Sequence, residues 1–460
     1  MPGLTQALAA YVASPRFGPH YDAAAAIARQ GIADTVATGF AAAAEPVTRI
    51  AQAYVGRQPL GGPATAPVWF TGQLLAAPQA AFVNGVAGHA LDYDDVALSG
   101  HPSTALAPAI LAQAHAQGAS GRQCLSAYIV GYEVWAELAS REPDPYHIKG
   151  WHPTAVFGTV AAAAALAHLR GLDASAAARA LAIAGSLASG LVANFGTMAK
   201  PLHAGRVGSL AFEAVELAQL GLTAAADALE HRAGFLAALS PQGRAERDRP
   251  IAPDQPPRIL QTGLSLKQYP VCYSGHRIID GIVDLARQAD LDPAQVARVT
   301  VGIGKPQASM LRNAAPVTAL EAKFSAQFAV ASALTRRAVG LAELDDAFVN
   351  EPAMHALYRK VRVDIVDAPD PTDSAFSLYD TVEIELRDGR ILRSGEIRHA
   401  RGHAQRPLSD AEQRAKFEDC LAVWRRAQGP AADALPSAGT LYDRLSGLSG
   451  IDNVQTLFER

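Results

Sequence analysis

Cysteine is scarce in this 460-residue chain: Cys124, Cys272 and Cys420 are the three, and no pair has a metal-binding or redox spacing. A disulfide framework and a zinc ribbon are both unsupported, and a reducing compartment fits the composition. Charge is scarce too, at 18% of residues with a formal net charge of -4, so no basic field exists to hold nucleic acid or an anionic membrane surface. Long hydrophobic runs are missing. No window offers the roughly 18 uninterrupted apolar residues of a membrane span, and the N-terminus lacks the basic, apolar and small-residue sections of a secretory leader. A cytoplasmic protein without nucleic-acid or membrane partners is expected. Also absent are a Gly-rich phosphate loop with Lys-Ser/Thr, a dinucleotide fingerprint between strand and helix, and a Gly-x-Ser-x-Gly elbow, which removes support for ATP, NAD and serine hydrolysis.

Apolar residues are plentiful instead, at 49%, with alanine-rich stretches at 161–167 and 174–184 that favour closely packed helices. The length exceeds what one core supports, so two or three domains are expected. Apolar residues recur at helical spacing over residues 23–43, 79–91, 104–117, 122–138, 155–170, 174–191 and 208–220, which predicts an all-helical domain. Residues 241–260, rich in Pro, Arg and Asp around Pro250-Ile251-Ala252-Pro253, lack periodicity and read as a surface linker. Beyond them Val299-Thr300-Val301-Gly302-Ile303 and Val361-Arg362-Val363-Asp364-Ile365 alternate as strands, and residues 381–386, Asp388-Gly389 and 391–397 spell a β-hairpin. Helices at 271–288, 317–337 and 341–358 make this region α+β. Ser409 and Glu412 stand at capping-box spacing, so helix returns after Pro407. The expected architecture is mainly α: a large helical domain from residues 1–262 and 405–460, built from both termini, with a smaller α+β domain, 263–404, inserted.

One local device occurs four times: a His or Lys just before a Pro able to open an apolar helix. The instances are His101-Pro102-Ser103-Thr104, His152-Pro153-Thr154, Lys200-Pro201-Leu202-His203 and Lys267-Gln268-Tyr269-Pro270. Pro is favoured in the first helical turn, whose free N–H groups carry partial positive charge, so each start is a candidate anion site. Converging in space, the four would suit two or three carboxylates; separately, each is a helix start with a solvated side chain. A second cluster runs from Asn84-Gly85 to His89-Ala90-Leu91-Asp92-Tyr93-Asp94-Asp95, with His89 and Asp92 three apart on one helical face. It has neither a zinc set nor the alternation of a calcium loop, so no metal is assigned. Its aspartates either terminate the helix or, in the case of Asp92, orient a cationic base. Tyr146 precedes His152 by six residues, and neighbouring lysines would lower its phenol pKa; a buried loop aromatic is the plainer reading. Cys272 follows Pro270 at an expected helix start, a setting that favours a thiolate, yet it equally reads as a small core residue.

These motifs in this order resemble the MmgE/PrpD family, whose members include 2-methylcitrate dehydratase, cis-aconitate decarboxylase and iminodisuccinate epimerase. The resemblance rests on Asn84-Gly85 through Asp95, Gly150-Trp151-His152-Pro153-Thr154, Gly196-Thr197-Met198-Ala199-Lys200-Pro201-Leu202-His203-Ala204-Gly205, Lys267 to His276, and Glu321-Ala322-Lys323-Phe324-Ser325, and it covers nearly the whole chain. It implies a helical domain with an inserted α+β lid, a homodimer, and a site without metal or organic cofactor. By matching positions it puts pocket residues at Asp92, His101, Tyr146, His152, Lys200 and Lys267, with His276 beside them. One departure concerns activity: the cis-aconitate decarboxylases carry a His where this chain has Cys272. Val96 stands where some members have Thr.

Proton transfer beside a carboxylate needs a base for a weakly acidic C–H and cations for the charge that develops. The expectation is a cofactor-independent lyase, a dehydratase or decarboxylase, acting on a small di- or tricarboxylic acid. Lys200 and Lys267 are expected to clamp carboxylates. His152 and Tyr146 are the proton-transferring pair, with acid and base unassigned, and Asp92 orients His101. His203, Cys272 and His276 are expected to contact substrate. An epimerase, or a silent carboxylate-binding protein with the same cationic pocket, is the alternative.

Overall fold

The computed structural model describes residues 2–59, 62–63, 65–251, 255–371 and 376–460. Its contacts divide the chain into one unit of Met1–Leu264 with Ser409–Arg460 and a second of Ser265–Leu408. The first opens with helices α1 (Leu4–Ala13), α2 (Tyr21–Ala41) and α3 (Pro46–Val55). A short antiparallel pair follows, β1 (Ala66–Pro67) with β2 (Leu74–Leu75). The expected all-helical domain is thus mainly, not wholly, helical; two-residue strands leave no readable alternation in the sequence.

Next come α4 (Ala77–Ala90), α5 (Pro102–Gln117), α6 (Gly121–Ala139), α7 (Pro153–Leu169), α8 (Ala174–Leu187) and α9 (Ala199–Gln219), then short α10 (Phe235–Leu239) and α11 (Ile259–Thr262). Helix α7 is apolar on every side and almost wholly buried, as a central helix must be, with α5, α6, α8 and α9 around it. A capping box of Ser120 and Gln123 starts α6, and the Asp173 carboxylate accepts the Ala176 N–H at 2.8 Å to start α8. Helices α4 and α9 approach closely because both contact residues are glycine. A Cβ on Gly85 would lie 3.0 Å from the Ala204 carbonyl, and one on Gly205 would strike Val86 and come within 2.6 Å of the Phe82 carbonyl. This approach carries functional weight, since α4 leads into Asp92 and α9 carries Lys200. Gly205→Val is expected to lose about 1–3 kcal/mol or more of stability, read as a lower denaturation midpoint in urea.

The expected linker is stitched to the end of α6. Arg249 and Arg258 both pair with Glu137, and the Glu246 N–H reaches the Arg141 carbonyl at 2.7 Å. Ala252 and Pro253 lie outside the described residues.

In the second unit the strands β3 (Val296–Ile303), β4 (Val361–Ile365), β5 (Thr381–Leu386) and β6 (Ile391–Arg393) form one sheet in the order β4-β3-β5-β6. The β3–β4 pair is parallel and the others antiparallel. Val382, Ile384 and Leu386 alternate inward, and Gly389, at φ 87°, turns the hairpin. Helix α12 (His276–Gln288) packs on α15 (Ala326–Arg336) and β5, with α13 (Lys305–Met310) and α14 (Ala319–Ala322) between them in sequence. The helix expected at 317–337 is therefore interrupted, because Ser325 stops α14 by capping α15 through the Phe328 N–H at 3.0 Å. The one expected at 341–358 is likewise divided into α16 (Asp346–Val349) and α17 (Pro352–Tyr358), the proline starting a new first turn. Chain return to the first unit begins with α18 (Asp410–Gln428), whose Ser409–Glu412 capping box is formed as expected, and ends with α19 (Ala438–Ser446). Among the described residues no helix is long and apolar enough to cross a membrane.

Candidate active site

Two of the four His/Lys-Pro motifs open helices as expected: His101 is the N-cap of α5 and His152 that of α7, each with Pro at the first position. Lys200 and Pro201 lie one step inside α9, whose N-cap is Met198. The fourth motif is a correction. Pro270 opens no helix, since the Cys272 N–H is drawn to the Lys323 carbonyl at 2.8 Å and α12 starts only at His276. Cys272 instead precedes a single 3-10 turn, so the helix start that would have favoured its thiolate is absent.

Helix α4 ends at Ala90, and the acidic stretch leaves it through Asp92 in the left-handed region, φ 52°. Asp92 is thus off the helical face it was expected to share with His89. Leu98 and Ser99 are left-handed as well, at φ 52° and 59°, turning the chain back through an Ala97–Gly100 bridge into His101. Three non-glycine residues in this conformation within eight positions are costly and aim side chains that a relaxed loop would not.

Their result is a buried cluster in the first unit. Lys200 Nζ lies 2.5 Å from Asp92 Oδ1, both side chains nearly sealed from solvent. His89 Nδ1 is 2.9 Å from both Asp94 oxygens, and His101 Nδ1 is 3.2 Å from Asp94 Oδ2 and 2.9 Å from the Asp95 carbonyl. His101 Nε2 stands 3.8 Å from Asp92. His101 thus lies between two carboxylates, Asp94 at its Nδ1 and Asp92 at its Nε2, so the expected Asp92–His101 pairing is shared with Asp94, the nearer of the two, while Asp92 also holds Lys200. The reason is the left-handed turn at Asp92, which swings its neighbour Asp94 under both imidazoles. His152 Nδ1 is 3.1 Å from His203 Nδ1, its ring stacks 5.9 Å from that of His89 and meets Phe195 edge-on at 4.7 Å, and its buried Nε2 has no hydrogen-bond partner among the described residues. The His152 N–H is anchored on the Gly190 carbonyl at 3.0 Å.

Protonation follows from this packing. Burial, then Lys200 and the neighbouring imidazoles, holds His152 well below the ordinary histidine value of 6.5. His203 is lowered by burial and Lys200, and His89 falls to about 3, burial outweighing Asp94. Burial alone would raise Asp94, yet His89 and His101 overcome it and keep the carboxylate ionised. The fully buried Asp95 is pushed well up by burial and by Asp34 and Asp94.

Tyr146 is in the same unit, with its hydroxyl 3.5 Å from the Leu138 carbonyl and its ring edge-on to Phe157 at 4.7 Å. Burial and Glu142 raise its pKa, opposite to the lowering expected from nearby lysines, because no lysine governs its surroundings. Lys267, Cys272 and His276 belong to the second unit. Lys267 is fully buried, and the His276 ring sits between Tyr269 at 5.1 Å and Tyr273 at 4.8 Å with Nε2 3.2 Å from the Val271 carbonyl.

His89, Asp92, Asp94 and His101 bring donor atoms within 4.8 Å of one another, a geometry that could hold a divalent cation. Lys200 already supplies the positive charge at Asp92, and both imidazoles turn Nδ1 to Asp94, so a cation would have to displace these bonds. The sequence signals missed here are His89 and Asp94, whose places in the motif were noted but whose convergence depends on the backbone turn.

Models of the MmgE/PrpD N-terminal domain and the MmgE/PrpD C-terminal domain match residues 6–248 and 269–430. Human cis-aconitate decarboxylase is 29% identical over 426 residues, covering 90% of this chain and 87% of that protein. The mouse protein of the same name is 29% identical over 415 residues, covering 81% and 82% respectively.

Proposed function

Because the chain belongs to the MmgE/PrpD family, we propose that it is a lyase of a small di- or tricarboxylic acid, working by proton transfer at a carbon next to a carboxylate. The observation that carries this reading is the buried Lys200–Asp92 pair beside His152, whose Nε2 has no hydrogen-bond partner among the described residues. A base for the C–H and a cation for the developing carboxylate charge then stand in one site.

His152 is neutral in the free enzyme, and in the tautomer that donates Nδ1–H to His203 its Nε2 presents a lone pair. An incoming polyanion offsets the positive field of Lys200 and raises the basicity of that nitrogen, so the base strengthens as substrate binds. Proton removal gives an enolate-like charge on the adjacent carboxylate, which Lys200 and His101 stabilise. Loss of hydroxide from the neighbouring carbon completes a dehydration; in a decarboxylation the carbon that lost CO2 takes up a proton instead. Cys272, standing where the resemblance places a His in cis-aconitate decarboxylases, favours a substrate or outcome other than theirs, although the two relatives bear that name.

Proton NMR in D2O with citrate, 2-methylcitrate, cis-aconitate and iminodisuccinate tests the reading. Water or CO2 loss is the expected outcome; C–H exchange with inversion alone would make the protein an epimerase, and no exchange with any acid would leave a carboxylate-binding protein. Turnover is expected to be unchanged by EDTA, because the charge work is assigned to Lys200 and the imidazoles.

A further inference from the structure

Helix α18 comes from the far end of the chain, and its buried face docks on α2: Trp424 meets Phe40 edge-on at 4.8 Å and donates its indole N–H to the Phe70 carbonyl at 3.1 Å. Phe417, Cys420 and Leu421 are buried on the same face. An apolar face would suffice to dock this helix. Lys416 nevertheless buries an ammonium there, its side chain 4% exposed. Nζ lies 2.6 Å from Asp34 Oδ1 on α2, 2.8 Å from the Tyr93 carbonyl and 3.9 Å from the Tyr93 ring centroid.

A buried ion pair is weak evidence for stability, because desolvation offsets most of its attraction; its better-attested use is to fix register. What Lys416 fixes is the residue between Asp92 and Asp94. Those two carboxylates face different partners, Lys200 for one and His89 with His101 for the other, and the stretch leaves α4 through a strained turn at Asp92. A shift of the Tyr93 peptide would carry both carboxylates out of line together.

We infer that Lys416, paired with Asp34, is a positioning residue for the proton-transfer site, acting through the Tyr93 carbonyl to hold Asp92 and Asp94 in place. The catalytic consequence rests on the lyase reading above, while the structural one does not. The test compares the wild type with Asp34→Asn/Lys416→Met, which removes both charges of the pair, and with Cys420→Ala, which loosens the same helix face but keeps the Lys416 bonds to Asp34 and to the Tyr93 carbonyl. The double variant is expected to keep its helical circular dichroism while its His89 and His101 ring NMR signals move, with kcat down about 10²-fold and KM little changed, the loss typical of a displaced catalytic group. Cys420→Ala should melt earlier with its ring signals and kcat unaltered. Wild-type ring signals in the double variant, or equal losses of kcat in both variants, would overturn the positioning role. Were none of the four acids to react, the lyase reading would fail and the ring signals alone would decide the role of Lys416.

Discussion

Replacing Lys200 by Met is expected to lower kcat/KM by about 10³-fold, the scale seen when a charge-stabilising donor is removed from a buried site. The ammonium has two tasks: it neutralises Asp92 at 2.5 Å and supplies the field that depresses His152 and His203. Its removal leaves the Asp92 carboxylate buried without its cation, a loss that costs about 3–5 kcal/mol for a broken buried pair. The single variant should therefore also melt early. Lys200→Met/Asp92→Asn separates the two effects, since it restores charge balance and most of the stability but not the turnover. Recovery of activity in the double variant would show that Lys200 serves only to neutralise Asp92.

His152→Gln is expected to reduce kcat by about 10²–10⁴-fold, the range for loss of a general base. It should abolish solvent exchange at the substrate C–H while leaving binding nearly intact. The pH profiles carry a sharper signature. In the free enzyme His152 is held below 6.5, so kcat/KM should stay level as the pH falls through that value; with the polyanion bound its basicity rises, and kcat should break at a higher pH than kcat/KM. Stability has a definite sign as well. Below 6.5 the unfolded chain takes up a proton at this imidazole and the folded one does not, so the wild type loses stability as acid is added and the Gln variant loses less. Identical acid limbs for both profiles would remove His152 from the base role.

Much of the fold is legible in the sequence. The mainly α class followed from helical periodicity and alanine richness, and helix starts at His101-Pro102, His152-Pro153 and Ser409 followed from capping chemistry, which is local. Strands at 299–303, 361–365 and 381–386, and the hairpin that continues from the last of them, are readable from alternation and the Asp388-Gly389 turn, whereas the pairing of β3 with β4 and β5 is not. Long-range contacts decide the rest. Pro270 has the local signature of a helix start, but a bond from the Cys272 N–H to the Lys323 carbonyl holds that segment extended; of the two readings of Tyr146 the buried aromatic holds, its ring against Phe157 and Glu142 its electrostatic neighbour.

Sequence by itself determined which residues carry charge and which are apolar, where α5, α7 and α18 begin, and that a His or Lys stands before a Pro in four motifs. Each of those depends on residues within a turn or two of one another. Only the tertiary structure decided that Asp94 joins Asp92 at His101, that His203 meets one nitrogen of His152, and that Lys416, 323 positions away, bonds to the Tyr93 carbonyl. Around them stand a left-handed turn at Asp92 and two glycines that let α4 and α9 touch. An angle of one backbone bond and the width of one helix contact are set by the whole packed core, and no local pattern encodes them.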